Sequence, residues 1–158
     1  MSEIQIIESP EVIGDSRIGI VASRYNGAVV ERLLGACLET LQDNGIREKS
    51  ISLVRVPGAF ELPVAAKRLA SAGGVDAIIA LGAVIRGGTA HFDYVAGECA
   101  SGLSRVALDH AIPVIFGVLT VDNEQQALER SGEGEQNKGR EAANAALEMI
   151  GVLAKLEK

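Results

Sequence analysis

Thr89 and His91 close a short turn, Arg86-Gly87-Gly88-Thr89-Ala90-His91, that follows an apolar run from Ala77 to Val84. The run has the length and composition of a buried strand, and a helical pattern begins just after it. Strand, glycine turn and helix start in that order aim backbone N–H groups at an anion. Thr89 adds a hydroxyl. His91, one of only two histidines, adds a group of the type that titrates near neutrality. The segment reads as a phosphate pocket with a proton-transfer residue beside it. The plainer reading, a histidine capping its own helix, fits the same spacing.

Three further stretches of unusual residues stand just past the ends of apolar runs. They are Ser23-Arg24-Tyr25-Asn26-Gly27, Val56-Pro57-Gly58-Ala59-Phe60-Glu61-Leu62-Pro63, and Thr120-Val121-Asp122-Asn123. Open α/β sheets bind ligands along the rim formed by the carboxyl ends of their strands. Four polar or aromatic loops on that rim make a small-molecule site the leading hypothesis. GxGxxG is missing after the first strand and GxxxxGK[ST] occurs nowhere, so no dinucleotide or P-loop site is expected. Two histidines without supporting ligand spacing give no metal site either.

The elements that would carry these loops follow from hydrophobic period. Arg17 to Ser23 is a β-branched first strand. Val29, Leu33, Leu34, Cys37, Leu38 and Leu41 then recur at helical spacing until Asn44-Gly45. Ser50 to Val56 is a second strand, and a helix follows Pro57-Gly58 to about Ala72, with Pro63 tolerable in its first turn. Val75 to Val84 is the third strand, about Phe92 to His110 a helix, and Pro113 to Leu119 the fourth strand. Two last helices are expected, near Glu124 to Arg130 and from about Asn137 to Lys158, with Gly132 to Gly139 between them. Nearly continuous apolar strands alternating with helices predict a flavodoxin-like three-layer α/β/α sandwich around a four-stranded parallel sheet. Ile4-Gln5-Ile6-Ile7 alternates weakly and reads as an additional N-terminal strand that would pair with a neighbouring subunit's sheet. No repeat, linker or low-complexity tract divides residues 1–158, so one domain is expected.

Composition narrows the class. Of the 158 residues 47% are apolar and 23% charged, ordinary values for a globular protein. The net charge of −6 and the lack of a basic run argue against nucleic acid as the main partner. No segment approaches transmembrane length, and Met-Ser-Glu lacks the basic start of a signal peptide, so no membrane role and a cytoplasmic location are expected. Cys37 and Cys99 form no CxxC or Cys/His cluster and read as buried reduced thiols. Aromatics are only 3%, and core packing is the ordinary fate of each.

Tyr25-Asn26, Pro57 to Pro63, Gly82 to Val95, Phe116-Gly117-Val118-Leu119-Thr120 and Asn137-Lys138-Gly139, in this order and spacing, resemble the 6,7-dimethyl-8-ribityllumazine synthases of riboflavin biosynthesis. The resemblance runs over nearly the whole chain. Each motif alone is moderate evidence; together they are highly specific. The resemblance implies a transferase that condenses 5-amino-6-ribitylamino-pyrimidinedione with 3,4-dihydroxy-2-butanone 4-phosphate. An imine forms, phosphate is eliminated, and ring closure with loss of water gives the lumazine, with neither redox cofactor nor metal.

It also implies roles. His91 would move protons, worth roughly 10²–10⁴-fold for a placed acid/base group. Gly88 and Thr89 would give N–H groups, and Thr89 its hydroxyl, to the phosphate. Many relatives carry a larger residue at Gly88, which points to its backbone. Arg130 would add a guanidinium suited to bidentate phosphate binding. Tyr25 would stack on the pyrimidinedione, where relatives often place phenylalanine, and Asn26 would stand beside it. Phe60 would border the ribityl chain and Glu61 accept from its hydroxyls. Ala59, Val84 and Ile85 would offer backbone contacts. Phe116, Arg130 and Lys138 would come from an adjacent subunit, with Glu141 behind Lys138. Arg86 is assigned a structural or surface role, and His110, at a helix end that favours a cation, a structural one.

Relatives assemble as rings of five, some as twelve rings in an icosahedral shell. The connector Ser131-Gly132-Glu133-Gly134-Glu135-Gln136-Asn137 is short, which favours the shell, and a shell would permit enclosure of riboflavin synthase. The alternatives are a flavin-binding or storage relative and a cage-forming one, each with weak catalysis. Competent residues at Tyr25, Glu61, His91, Arg130 and Lys138 argue against lost activity.

Overall fold

Two strands without a charged side chain form the middle of the sheet. β1 (Ile18–Ser23) is buried along its whole length, and β3 (Ala77–Ile85) along all but its last residue. In the computed structural model, which describes residues 3–157, they lie side by side. β2 (Ile51–Val56) and β4 (Val114–Val121) form the edges, and all pairings are parallel in the order β2-β1-β3-β4. This is the α/β architecture expected of a flavodoxin-like three-layer sandwich. Burial on both faces explains why the central strands read as unbroken apolar runs, whereas edge strand β2 is buried only at Val56.

One face carries α1 (Gly27–Asp43), α4 (Glu124–Ser131) and α5 (Lys138–Leu156). Its core is aliphatic, built from Ile18, Ile20, Leu33, Leu41, Ile79, Leu81 and Leu147 among others. The other face carries α2 (Leu62–Ala72) and α3 (His91–His110) over Val21, Leu62, Ile78, Cys99 and Leu103. A short 3₁₀ turn, Ala59–Glu61, leads into α2. Helix α5 rests so closely on α1 that a Cβ on Gly139 would run into the Leu33 carbonyl oxygen. Only glycine fits that crossing.

Most expected elements are present, with ends moved by one or two residues. The third strand starts at Ala77 and ends at Ile85, the fourth runs on to Val121, and α3 begins at His91 itself. The last helix ends at Leu156; Lys158, where it was expected to reach, lies outside the described residues, as do Met1 and Ser2. Residues 4–7 form no strand within the single chain. Ser9 packs on α5 at Gly151, Lys155 Nζ donates to the Glu8 carbonyl, and Ile6 ahead of them is 74% exposed.

Cys37 and Cys99 are free and buried, and burial pushes each thiol up to about 12. Both therefore stay protonated and unreactive at neutral pH. His110 is not a lone helix-end charge. Lys67 Nζ, 3.0 Å away, can only donate, so Nε2 of His110 accepts, joining α2 to the end of α3. Among the described residues no helix is long and apolar enough to cross a membrane.

Candidate active site

β1 and β3 are neighbours, but their connections leave in opposite directions, so a crevice opens beyond their carboxyl ends. The first loop into it ends at Asn26, in the left-handed region at φ 60 and ψ 43, which asparagine tolerates better than most residues. Its Nδ2 donates to the Ala83 carbonyl at 2.9 Å, pinning the loop to the end of β3. Its own carbonyl accepts from the N–H groups of Val29 and Val30, which starts α1.

The second loop is built around Gly58. Tyr25 N donates to the Pro57 carbonyl at 2.9 Å, and Arg24 N reaches both the Val56 and Pro57 carbonyls. A Cβ on Gly58 would lie 2.6 Å from Cδ2 of Tyr25 and 2.9 Å from its Cε2. The φ of −137 there is ordinary extended backbone, so what glycine supplies is room for the ring. Glu61 Oε1 accepts from Gly58 N at 2.9 Å, which is half of a capping box. One carboxylate oxygen is thus committed to the turn and the other is not.

Tyr25 is 64% and Phe60 55% exposed at this rim. The chain has three phenylalanines and two tyrosines, and not one of the five is fully buried. Core packing therefore does not account for Tyr25 or Phe60. Ala59 and Val84 are buried, while Ile85 is half-buried against the opposite core, and all three stand where their elements reach the crevice.

His91 is the first residue of α3. Its N–H makes a long 3.4 Å contact to Thr89 Oγ1, and its ring has no hydrogen-bond partner among the described residues. The histidine does not cap its own helix, and no side chain caps it. In this first turn the Asp93 N–H is taken by the Ala90 carbonyl at 3.0 Å and the His91 N–H makes only the long Thr89 contact, so the end of the helix dipole is left to meet an anion chiefly through Phe92 and His91. Gly87 and Gly88 have nothing within 4 Å of where a Cβ would stand, so close approach is open at both.

Phe116, Arg130 and Lys138 are not at this crevice. They line a separate hollow of about 420 Å³ on the outer edge of β4, together with Thr120, Gln126 and Glu129. Arg130 has no ion-pair partner among the described residues, and Lys138 Nζ lies 3.1 Å from Glu141 Oε1. Asn137 fixes this region. It is 3% exposed, its Oδ1 accepts from the N–H groups of Gly139 and Arg140, and its Nδ2 donates to the Ser131 and Gly132 carbonyls. It thereby caps α5 and closes the connector to α4. A larger hollow of about 690 Å³ lies between α1 and this connector and holds none of the expected site residues.

Two residues escaped the sequence reading. Arg86 was read as structural or superficial, but its guanidinium meets Asp93, Asp122 and Phe92. Ser23 was read as the end of the first strand and the start of the loop after it, with no role of its own. Its Oγ is buried without a hydrogen-bond partner among the described residues, in the space a side chain at Gly82 would fill. An unmet buried hydroxyl costs roughly 1–3 kcal/mol. Ser23→Ala is therefore expected to stabilise the fold by about 1 kcal/mol, read as a rise in thermal midpoint. A lower midpoint would mean the hydroxyl is bonded in the folded protein.

Among solved structures, the chain is similar to a GDP-L-fucose synthetase from Naegleria fowleri at 11% identity. That match covers 99% of this chain and 49% of the other, with a TM-score of 0.42. The chain thus spans about half the length of that protein, and so low a likeness carries no argument about function. The family comparison is of another order: the model for 6,7-dimethyl-8-ribityllumazine synthase matches residues 15–154. The whole sheet, every helix but the last two residues of α5, and both groups of site residues fall within that span, and the chain belongs to the 6,7-dimethyl-8-ribityllumazine synthase family.

Proposed function

We propose that residues 1–158 act as one domain that condenses 5-amino-6-ribitylamino-pyrimidinedione with 3,4-dihydroxy-2-butanone 4-phosphate to give the lumazine, phosphate and water. The family match over residues 15–154 carries this reading. The crevice supports it with an aromatic pair, a half-committed carboxylate, a helix start whose N-cap residue supplies no side-chain cap, and an imidazole without a partner among the described residues, grouped at one rim. No step calls for a cofactor.

The pyrimidinedione stacks on Tyr25 beside Asn26, and its ribityl chain runs past Phe60 toward the free oxygen of Glu61. Backbone groups of Ala59, Val84 and Ile85 hold ring and chain in register. The phosphate of the second substrate takes N–H groups from Gly88 and Thr89 and the Thr89 hydroxyl. His91 moves the protons of imine formation and phosphate elimination. Ring closure with loss of water then completes the product.

Phe116, Arg130 and Lys138 complete the pocket from an adjacent copy. Their separation from the crevice within one chain supports this, since no single copy gathers both groups. The assembly is a homopentamer, and the short connector favours twelve pentamers in a shell able to enclose riboflavin synthase. Residues 4–7 pair with a neighbour's β2, whose Leu53 is 41% exposed. The enzyme works in the cytoplasm.

The first test is lumazine formation, followed by near-ultraviolet absorbance and fluorescence against the uncatalysed condensation. Acceleration above that background supports the synthase; tight flavin binding without acceleration supports a storage relative. Arg130→Ala is expected to raise KM for the phosphorylated substrate by roughly 10–100-fold, the worth of a charge-assisted contact. Equal use would return Arg130 to a surface charge. Mixing His91→Ala with Arg130→Ala subunits tests the shared pocket: random assembly restores intact pairs at about a quarter of the sites. No recovery in mixed oligomers would place both residues in one subunit's pocket.

A further inference from the structure

We infer that Arg86 is a positioning residue for His91: it ties the entry of α3 to the ends of β3 and β4 and so fixes where the imidazole stands. The inference rests on the reading of His91 as the proton-transfer group. Arg86 follows β3, and its N–H donates to the Val121 carbonyl at 2.8 Å, carrying the β3–β4 ladder one residue further. From that anchored backbone the side chain reaches three ways. Nη1 lies 3.3 Å from Asp93 Oδ1, Nε lies 3.3 Å from Asp122 Oδ1, and Cζ stands 4.2 Å from the centre of the Phe92 ring.

These contacts bracket a segment that has almost nothing else to hold it. Residues 86–91 are all exposed, and the two glycines have no neighbour within 4 Å of a Cβ position. The one side-chain bond within the segment is the long one from His91 N to Thr89. His91 adjoins Phe92 and precedes Asp93 by two residues, so whatever orients those two orients His91. An exposed ion pair taken alone holds little. Here one planar group engages three side chains on two separate segments, the geometry in which arginine differs from lysine.

The same commitments set Arg86 apart from the phosphate ligands. Two of its three nitrogens already face carboxylates, whereas Arg130 has no such partner among the described residues. Its second effect is to offset Asp93 and Asp122, two negative charges at the rim where a phosphate must enter. Removing Arg86 frees the helix entry and leaves those charges facing each other.

Three readouts test this. Arg86→Ala is expected to lower kcat by roughly 10–100-fold, the cost of a misplaced catalytic group, with KM for the pyrimidinedione changed less than about threefold. Arg86→Lys, which keeps the charge without the fork, is expected to recover part of that loss. In the His91→Ala background, Arg86→Ala is expected to cost less than about twofold more, because the effect runs through His91. A purely structural role would keep its full cost there, and that result overturns the inference. Hydrogen exchange over residues 87–93 is expected to quicken in Arg86→Ala with the thermal midpoint nearly unchanged. Exchange needs no turnover, so it judges the tether even where the wild type shows no acceleration and the synthase reading itself fails. Unchanged exchange overturns the inference. Should Arg86→Ala fail to fold, Asp93→Asn removes one tether only and is read in the same way, with a smaller loss.

Discussion

His91→Ala is expected to lower turnover by roughly 10²–10⁴-fold, the range for a placed acid/base group, while KM for both substrates stays within about threefold. The imidazole heads a 20-residue helix, is exposed to the crevice, and has no hydrogen-bond partner among the described residues. Its removal therefore breaks no contact that the fold needs, and the thermal midpoint should hardly move. Imine formation requires protons to pass from nitrogen to oxygen, and phosphate elimination requires one to leave carbon. A side chain that can give and take them at neutral pH lowers both barriers. Steady-state rates of lumazine formation, corrected for the uncatalysed condensation, provide the measurement. Turnover equal to wild type would remove His91 from the mechanism and leave the crevice as a binding site alone.

Asn137→Ala is expected to cost about 3 kcal/mol of stability, as much as many a core truncation, from a lost cap together with buried carbonyls left without donors. Four bonds depend on this one buried amide, two accepted from the start of α5 and two donated to the Ser131 and Gly132 carbonyls. For a domain of this size the thermal midpoint should fall by roughly 6–12 °C. Asn137→Asp separates the two halves, because it keeps the capping oxygen and deletes the donors. Its loss should fall between wild type and Asn137→Ala. The damage also reaches the pocket, since Lys138 is the next residue and loses its fixed setting. A variant as stable as wild type would mean that the connector is held by something other than this amide.

The sheet was legible because its central strands are buried on both faces and so carry no polar interruption. The rim was legible for the same reason, since every polar or aromatic cluster stands just where an apolar run stops. Strand ends were less so. The β3–β4 ladder is extended by a backbone bond from Arg86 to Val121, which side-chain composition does not encode. Arg86 was left between a structural and a surface role because its carboxylate partners are distributed along the chain: Asp93 is seven residues away and Asp122 thirty-six. His110 looked like a helix-end charge because its partner, Lys67, belongs to a different helix. Gly139 reads in sequence as part of a motif, but its reason is spatial, the pressure of α5 on the Leu33 carbonyl. The roles of Tyr25, Glu61 and Lys138 came from family likeness. Local pattern alone also allows Glu61 to be a helix-start carboxylate, and in the structure one of its oxygens does serve the turn.

With tryptophan absent, both tyrosines exposed and only the weakly absorbing Phe92 and Phe116 packed on a core, the near-ultraviolet circular dichroism of this chain carries little record of its interior. The aliphatic core has no chromophore in that band, so its melting leaves few spectral marks there. A planar molecule stacking on Tyr25 would change the same spectrum at once. In this protein the near-ultraviolet band is a gauge of occupancy at the rim, and unfolding is better followed in the far ultraviolet, where the backbone absorbs.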